Sequence, residues 1–278
     1  MDLNLRASLA DRLWGDPPSE MLNVLLATLE YPADTKTKSL KLVQDIDFFC
    51  KAQEPPREPR IVDTPPWYFW PLIMGMAACI PPDHEWQDCL VQTMDILRQR
   101  DESNKDEQET ARFEYLEESS LAVSEQINYC YISGCEETAS GGAIAKWKNF
   151  NSFIARTSTP DGPWRMLCIW EFRETLEEPV IKAAAMECKL WVTTEWIIRC
   201  AGIIFEEMNY TGEIDDDTAQ SFRMGPSCDA KRVLSLERWE FWKKRLAELV
   251  ADAGKLELGS TITARISKAL EAMAAVEP

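Results

Sequence analysis

The sequence predicts an all-α protein. Apolar residues recur with a period near 3.6 through most of the chain, and prolines and glycines cut that pattern into segments of helical length. Runs of alternating β-branched residues bounded by turn pairs, which would mark strands, are nearly absent. The segmentation predicts about eight to ten helices in a single-domain bundle, residues 1–278, with an acidic insertion.

The first strong helix holds Met21, Leu22, Leu25, Leu26 and Leu29 on one face, and Pro32 closes it. Leu40, Val43, Ile46, Phe49 and Cys50 repeat the pattern. Pro55, Pro56, Pro59, Pro65 and Pro66 then stiffen a connector, because each ring fixes φ and removes a donor. An apolar segment from Trp67 to Ile80 stops at Pro81-Pro82. Asp83 is placed to cap the next helix, which should bury Trp86, Leu90, Met94 and Leu97. Residues 101–118 are rich in acids and poor in apolar side chains, so they are expected to form an exposed or partly disordered insertion.

In the second half, Trp147, Phe150, Asn151 and Ile154 share a helical face. The turn Thr159-Pro160-Asp161-Gly162-Pro163 separates it from a helix with Trp164, Leu167, Cys168 and Leu176. Pro179 ends that helix or opens the next. Val180 to about Met208 then reads as one helix of about 29 residues, roughly 43 Å long at about 1.5 Å per residue. Residues 209–233, with Asn209, Gly212, Glu213 and Asp215 to Asp217, read as an acidic loop. Leu234 to Ala253 and Ser260 to Val276 are the last helices, with Gly254 as a stop.

Composition excludes several function classes. Lys+Arg 30 against Asp+Glu 47 gives a net charge of −17, the wrong sign for a nucleic-acid surface. With 45% apolar and 28% charged residues the chain can build a core. His84 is the one histidine, which rules out two-His metal sites and any Ser-His-Asp triad without it. A P-loop, a dinucleotide fingerprint and a His/Cys ligand cluster are all missing from the sequence, so no cofactor and no metal are expected. The opening MDLNLRASLADRLW lacks a basic region followed by an apolar run, and no 18-residue uncharged apolar stretch occurs. Neither a secretory signal nor a membrane span is expected. Nine scattered cysteines, an odd number without CxxC, point to a reducing, cytoplasmic setting.

Three segments carry a family resemblance. They are Ile80-Pro-Pro-Asp-His-Glu-Trp-Gln-Asp-Cys-Leu-Val91, the pair Trp147-Lys-Asn-Phe-Asn-Ser-Phe-Ile-Ala-Arg156 and Ile169-Trp-Glu-Phe-Arg-Glu-Thr-Leu-Glu177, and Leu236-Glu-Arg-Trp-Glu-Phe-Trp-Lys-Lys-Arg-Leu246. In order and spacing, from about residue 60 onward, the chain resembles the fungal family called domain of unknown function 3632. The resemblance implies a soluble helical protein, with some relatives encoded beside secondary-metabolite genes. It supplies no catalytic residues.

Candidate residues therefore come from chemistry and spacing. Asp215 to Asp217 have the composition of a magnesium site and suggest a terpene cyclase, but no second metal motif accompanies them and a solvated loop explains them. His84 suits a general base, or a capping and packing role at a helix start. Trp239 and Trp242, with Trp147, Trp164, Trp170, Trp191 and Trp196, form either core or the wall of an aromatic pocket. Asn151 lies on an apolar face, where its amide either ties helices together or orients a ligand. Glu171, Arg173, Glu174 and Glu177 share a helix and read as a salt-bridged face, with Arg173 expected to reach Glu177. In the long helix, Lys182, Lys189, Thr193 and Glu207 mark the expected wet face. Glu195 and Arg199 lie off it, as a buried ion pair or a polar pocket wall. Glu195, His84 and Glu171 are the catalytic candidates. Trp147, Asn151, Trp170, Arg199, Trp239 and Trp242 are the binding candidates. The function this supports is a cofactor-independent protein that binds or tailors an apolar small molecule, cyclase- or isomerase-like. The alternatives are a non-enzymatic interaction module and a magnesium-dependent terpene cyclase.

Overall fold

The computed structural model describes residue 3 and residues 5–10, 19–52, 66–103, 141–160, 165–179 and 183–278. The regular elements among them are helical: α1 (Leu5–Ala10), α2 (Ser19–Glu30), α3 (Thr35–Ala52), α4 (Pro66–Cys79), α5 (Glu85–Ser103), α6 (Gly141–Thr157), α7 (Arg165–Phe172), a π-turn (Arg173–Glu177), α8 (Ala183–Met208), α9 (Asp216–Ser221), α10 (Leu236–Ala251) and α11 (Ser260–Ala275). The protein is all-α, as its periodicity predicts. Most of the Pro-rich connector, residues 104–118 of the acidic insertion, Trp164 and the first residues of the long helix lie outside the described residues.

The chain forms two compact units, Met1–Gly134 with Gly141–Phe153 and Cys135–Ser140 with Ile154–Pro278. In the first, α3 packs on α2 and α5, and α4 on α1 and α5. Leu25, Leu29, Leu42, Val43, Met76 and Ile80 are fully buried there. Loss of apolar surface to water drives this packing, at about 1.5–3 kcal/mol per buried aliphatic side chain. Polar ties fix its register. The Ser39 hydroxyl lies 2.7 Å from the Thr35 carbonyl and 3.1 Å from that of Cys89, bridging α3 to α5. Gln87 Nε2 donates to the carbonyls of Ile80 and Asn149, and Asn149 Nδ2 donates to that of Ala78. The start of α5, the end of α4 and α6 are thereby tied by buried amides.

The start of α5 corrects one expectation. His84, not Asp83, takes the capping position: its Nδ1 accepts from the Trp86 N–H at 3.2 Å, and its carbonyl accepts from Gln87 at 2.9 Å. The extra residue of turn after Pro81-Pro82 moves the cap one place on. Trp86 is half-buried rather than buried and meets the His84 ring edge-on at 5.1 Å.

In the second unit α8 is central. It packs against α7, the π-turn, α10 and α11. Trp196, Trp239, Trp242, Phe172, Leu246 and Ile266 fill the interior. With neighbours on several sides, α8 departs from the expected wet face. Thr193 is fully buried, and the exposed stripe runs through Arg199, Gly202 and Glu206. Residues 209–233 include the short α9, capped by Asp215, whose carboxylate accepts from the Thr218 N–H at 2.8 Å and hydroxyl at 2.7 Å. The acidic segment thus starts a helix. α10 ends at Ala251 with Asp252 as its cap, the turn of residues 252–257 includes Gly254 and has its positive φ at Glu257 (φ 54), and the Leu258 N–H reaches the Ala253 carbonyl.

Candidate functional site

The site is built on the α7 and π-turn segment. Here the backbone widens by one residue per turn, a feature frequent at functional sites because it re-aims side chains. The change is visible in the ion pairs. Arg173 reaches Glu178, five residues on, at 3.3 Å, and not Glu177 as an α-helix would dictate. Glu177 is turned inward instead.

Inside, Glu177 and Arg238 are both fully buried and form a saturated network. Arg238 donates from Nε to Oε1 at 2.6 Å and from Nη2 to Oε2 at 3.1 Å. Trp242 Nε1 donates to Oε1 at 2.7 Å, and the Gly225 N–H to Oε2 at 2.6 Å. Arg238 Nη1 satisfies the carbonyls of Phe222 and Val233. A buried pair survives only with this many hydrogen bonds around it. Gly225 is required by close approach: a Cβ there would meet Glu177 Cβ at 2.7 Å. The network locks the residue 222–233 loop onto the π-turn.

Six residues earlier, Glu171 sits in the opposite environment. It is 7% exposed and receives no hydrogen bond from the described residues. Burial pushes its carboxyl up to about 8, against a smaller downward pull from Lys189 and a small upward one from Cys188. The Lys189 ammonium is itself held by Glu174 at 3.3 Å. Burial therefore favours the neutral form of the Glu171 carboxyl, with a cation close by. Such a group can donate a proton or a hydrogen bond where an ordinary glutamate cannot.

The other sequence candidates fall elsewhere. His84, Trp147 and Asn151 lie in the first unit. Trp147 stacks on Phe150 at 6.2 Å between ring centres, and Asn151 Nδ2 donates to the Trp147 carbonyl at 3.0 Å. In the second unit, Trp239 is fully buried; its indole N–H goes to Glu277 at 2.8 Å and its ring meets Phe205 at 5.5 Å. Trp242 meets Phe172 edge-on at 5.0 Å and the Arg238 guanidinium at 5.2 Å. Trp170 is 38% exposed and clasps the Ser221 carbonyl at 2.9 Å. Glu195 is buried with Arg199 at 3.1 Å, and a second arginine, Arg265 on α11, holds it at 2.6 Å. Arg265 also covers the Trp191 ring at 4.3 Å. Glu195 lies on the same side of α8 as the exposed stripe, and α11 covers it. Among the described residues no group of three or more His, Cys, Asp or Glu is arranged to hold a metal ion, and no helix is long and apolar enough to cross a membrane.

Sequence reasoning did not single out Arg238 or Arg265, and it placed Lys189 on a wet face rather than at a site. A usable signal existed for Arg238: it precedes Trp242 by four, so it shares that indole's buried face. The inward turn of Glu177 had none, because a π-turn leaves no spacing mark.

A family model described as protein of unknown function (DUF3632) matches residues 70–246, which include α7, the π-turn and most of α10. The chain belongs to this family. The DUF3632 segment thus contains Glu171, Glu177, Lys189, Gly225, Arg238 and Trp242 together. No curated protein and no solved structure matches the chain.

Proposed function

We propose that the chain is a cofactor-independent small-molecule-binding or tailoring protein, isomerase- or cyclase-like, with Glu171 as its acid–base group. The observation that carries this is a pair of glutamates on one segment in opposite surroundings. Glu177 is saturated by Arg238, Trp242 and Gly225 and has a structural task. Glu171, 7% exposed at the edge of the core, has no such partners among the described residues and lies beside Lys189. Holding a carboxyl out of water without hydrogen bonds costs stability, and a carboxyl kept so beside a cation is a candidate for acid–base chemistry. In an isomerisation or cyclisation the acid gives its proton to the substrate and recovers one from it, so protons balance without a cofactor. A place in fungal secondary metabolism follows from the family resemblance, and a cytoplasmic setting from cysteine usage. The interaction-module alternative has support in the buried, internally satisfied indoles of Trp239 and Trp242, which argue for core rather than pocket at those positions.

The test needs no known substrate. A panel of enolisable ketones and esters is incubated with the protein in deuterium oxide, and exchange at the carbon beside the carbonyl is followed by proton NMR. Catalysed exchange that disappears in Glu171→Gln, with folding intact, supports the proposal. Exchange equal in parent and variant would sink it.

A further inference from the structure

Two further buried side chains accompany Glu171. The Thr175 and Thr193 hydroxyls are both removed from water, and neither has a hydrogen-bond partner among the described residues. Natural interiors rarely leave such groups unspent. Other threonines in α8 and nearby behave ordinarily: Thr194 donates to the Leu190 carbonyl at 2.7 Å, and Thr157 to that of Ile154 at 3.1 Å.

Helix geometry sets Thr175 on the face of its segment that carries Glu171, and Thr193 on the face of α8 that carries Lys189, which is beside Glu171. Thr175 follows it by four, one turn along, so the two lie on one face of the α7 and π-turn segment. On α8, Lys189, Thr193 and Cys200 share a face, at i, i+4 and i+11. Lys189 binds Glu174 at 3.3 Å, and Cys200 is close enough to Cys168 to act on its thiol. Cys200 Sγ also donates to the Ala155 carbonyl at 3.1 Å. Thr193 lies between those two anchor points on α8, and Glu171 lies midway between Cys168 and Glu174 on the facing segment. The Arg173 Nε on the same segment is also buried and has no hydrogen-bond partner among the described residues.

We infer that Glu171, Thr175 and Thr193 form a buried donor-lined subsite for the oxygen of an enolisable carbonyl compound. The inference rests on the acid–base reading of Glu171 and adds to it the substrate class. A protonated carboxyl and two hydroxyls all supply donors, and a carbonyl or enolate oxygen supplies the acceptor. A carboxylate or phosphate ligand fits less well, because Glu174 already neutralises Lys189.

Phenols of graded acidity imitate an enol and serve as probes. Binding of 4-nitrophenol to the full chain is read by its absorbance and by quenching of tryptophan emission, with nitrobenzene as the control lacking the hydroxyl. Thr193→Val and Thr175→Val keep side-chain shape and remove the hydroxyl. Each should weaken 4-nitrophenol about tenfold, the value of one hydrogen bond, and leave nitrobenzene unchanged. Thr193→Ser should restore the affinity, which a purely structural threonine would not do. The melting temperature of the valine variants should hold or rise, since an unsatisfied buried hydroxyl is removed. Unchanged 4-nitrophenol affinity in both valine variants, failure of serine to restore it, or no binding of any phenol by the parent would overturn the subsite. Carboxyl titration of Glu171 in the same samples separates the two claims. A midpoint near 8 without phenol binding removes the substrate class alone, and an ordinary midpoint removes the acid–base reading as well.

Discussion

Glu171→Gln should stabilise the folded protein at alkaline pH, and the gain should itself depend on pH. The carboxyl titrates near 4.5 when the chain is unfolded and near 8 when it is folded, because burial disfavours its charge. Between those values the folded state holds a proton that the unfolded state has released. Stability contributed by the neutral acid is therefore complete below pH 4.5, is lost as pH rises, and is gone above 8. At about 1.4 kcal/mol per unit, the window of roughly 3.5 units sets a ceiling near 5 kcal/mol. Water entry and relaxation around a side chain at the edge of the core bring the expected value to about 2–5 kcal/mol. Glutamine is near in shape and does not titrate, so subtracting the two proteins cancels every other group. The assay is urea unfolding by tryptophan fluorescence at pH 4, 6, 8 and 9, with the slope checked for constancy. The variant should match the parent near pH 4 and exceed it increasingly up to pH 8. A difference that stays flat from pH 4 to 9 would refute the reasoning.

The Glu177 network predicts the opposite behaviour. Glu177→Ala should cost about 3–5 kcal/mol by leaving Arg238 buried and unpaired, and the melting temperature should drop accordingly. Gly225→Ala should be severely destabilising in the same melt, since its Cβ would lie 2.8 Å from the Glu177 carbonyl oxygen. For Glu195, Arg265→Ala should cost about 1–3 kcal/mol in urea unfolding, and Arg199→Ala about 0–1, because Arg199 is 46% exposed. In the first unit, Asn149→Ala should cost about 1–3 kcal/mol by the same assay, because it strips the buried Ala78 carbonyl of its donor.

What the sequence made legible follows from what leaves a periodic mark. The helices around Met21 to Leu29, Trp147 to Ile154 and Trp239 to Leu249 appear within a few residues of their expected bounds, because a single buried face writes a 3.6 period. The exposed side of α8 was not legible. The helix is enclosed by four neighbours, so a polar Thr193 can be buried and an ionic Glu195 covered by Arg265 from α11, 70 residues away. Glu171 and Glu195 were both reachable as candidates from helical position alone. Their different surroundings were not: Glu195 meets two arginines and Glu171 meets none, and that distinction belongs to tertiary packing. The inward turn of Glu177 likewise depends on a π-turn that its sequence, Arg-Glu-Thr-Leu-Glu, does not announce.

The central claim is that Glu171 is a neutral acid at physiological pH, and direct titration of its side chain tests this. The protein is labelled with carbon-13 at the glutamate δ-carboxyl, and Glu171→Gln identifies the resonance. The midpoint should lie near 8, far above the ordinary value for a glutamate side chain. A midpoint between 4 and 5 would show an ordinary charged glutamate and contradict it.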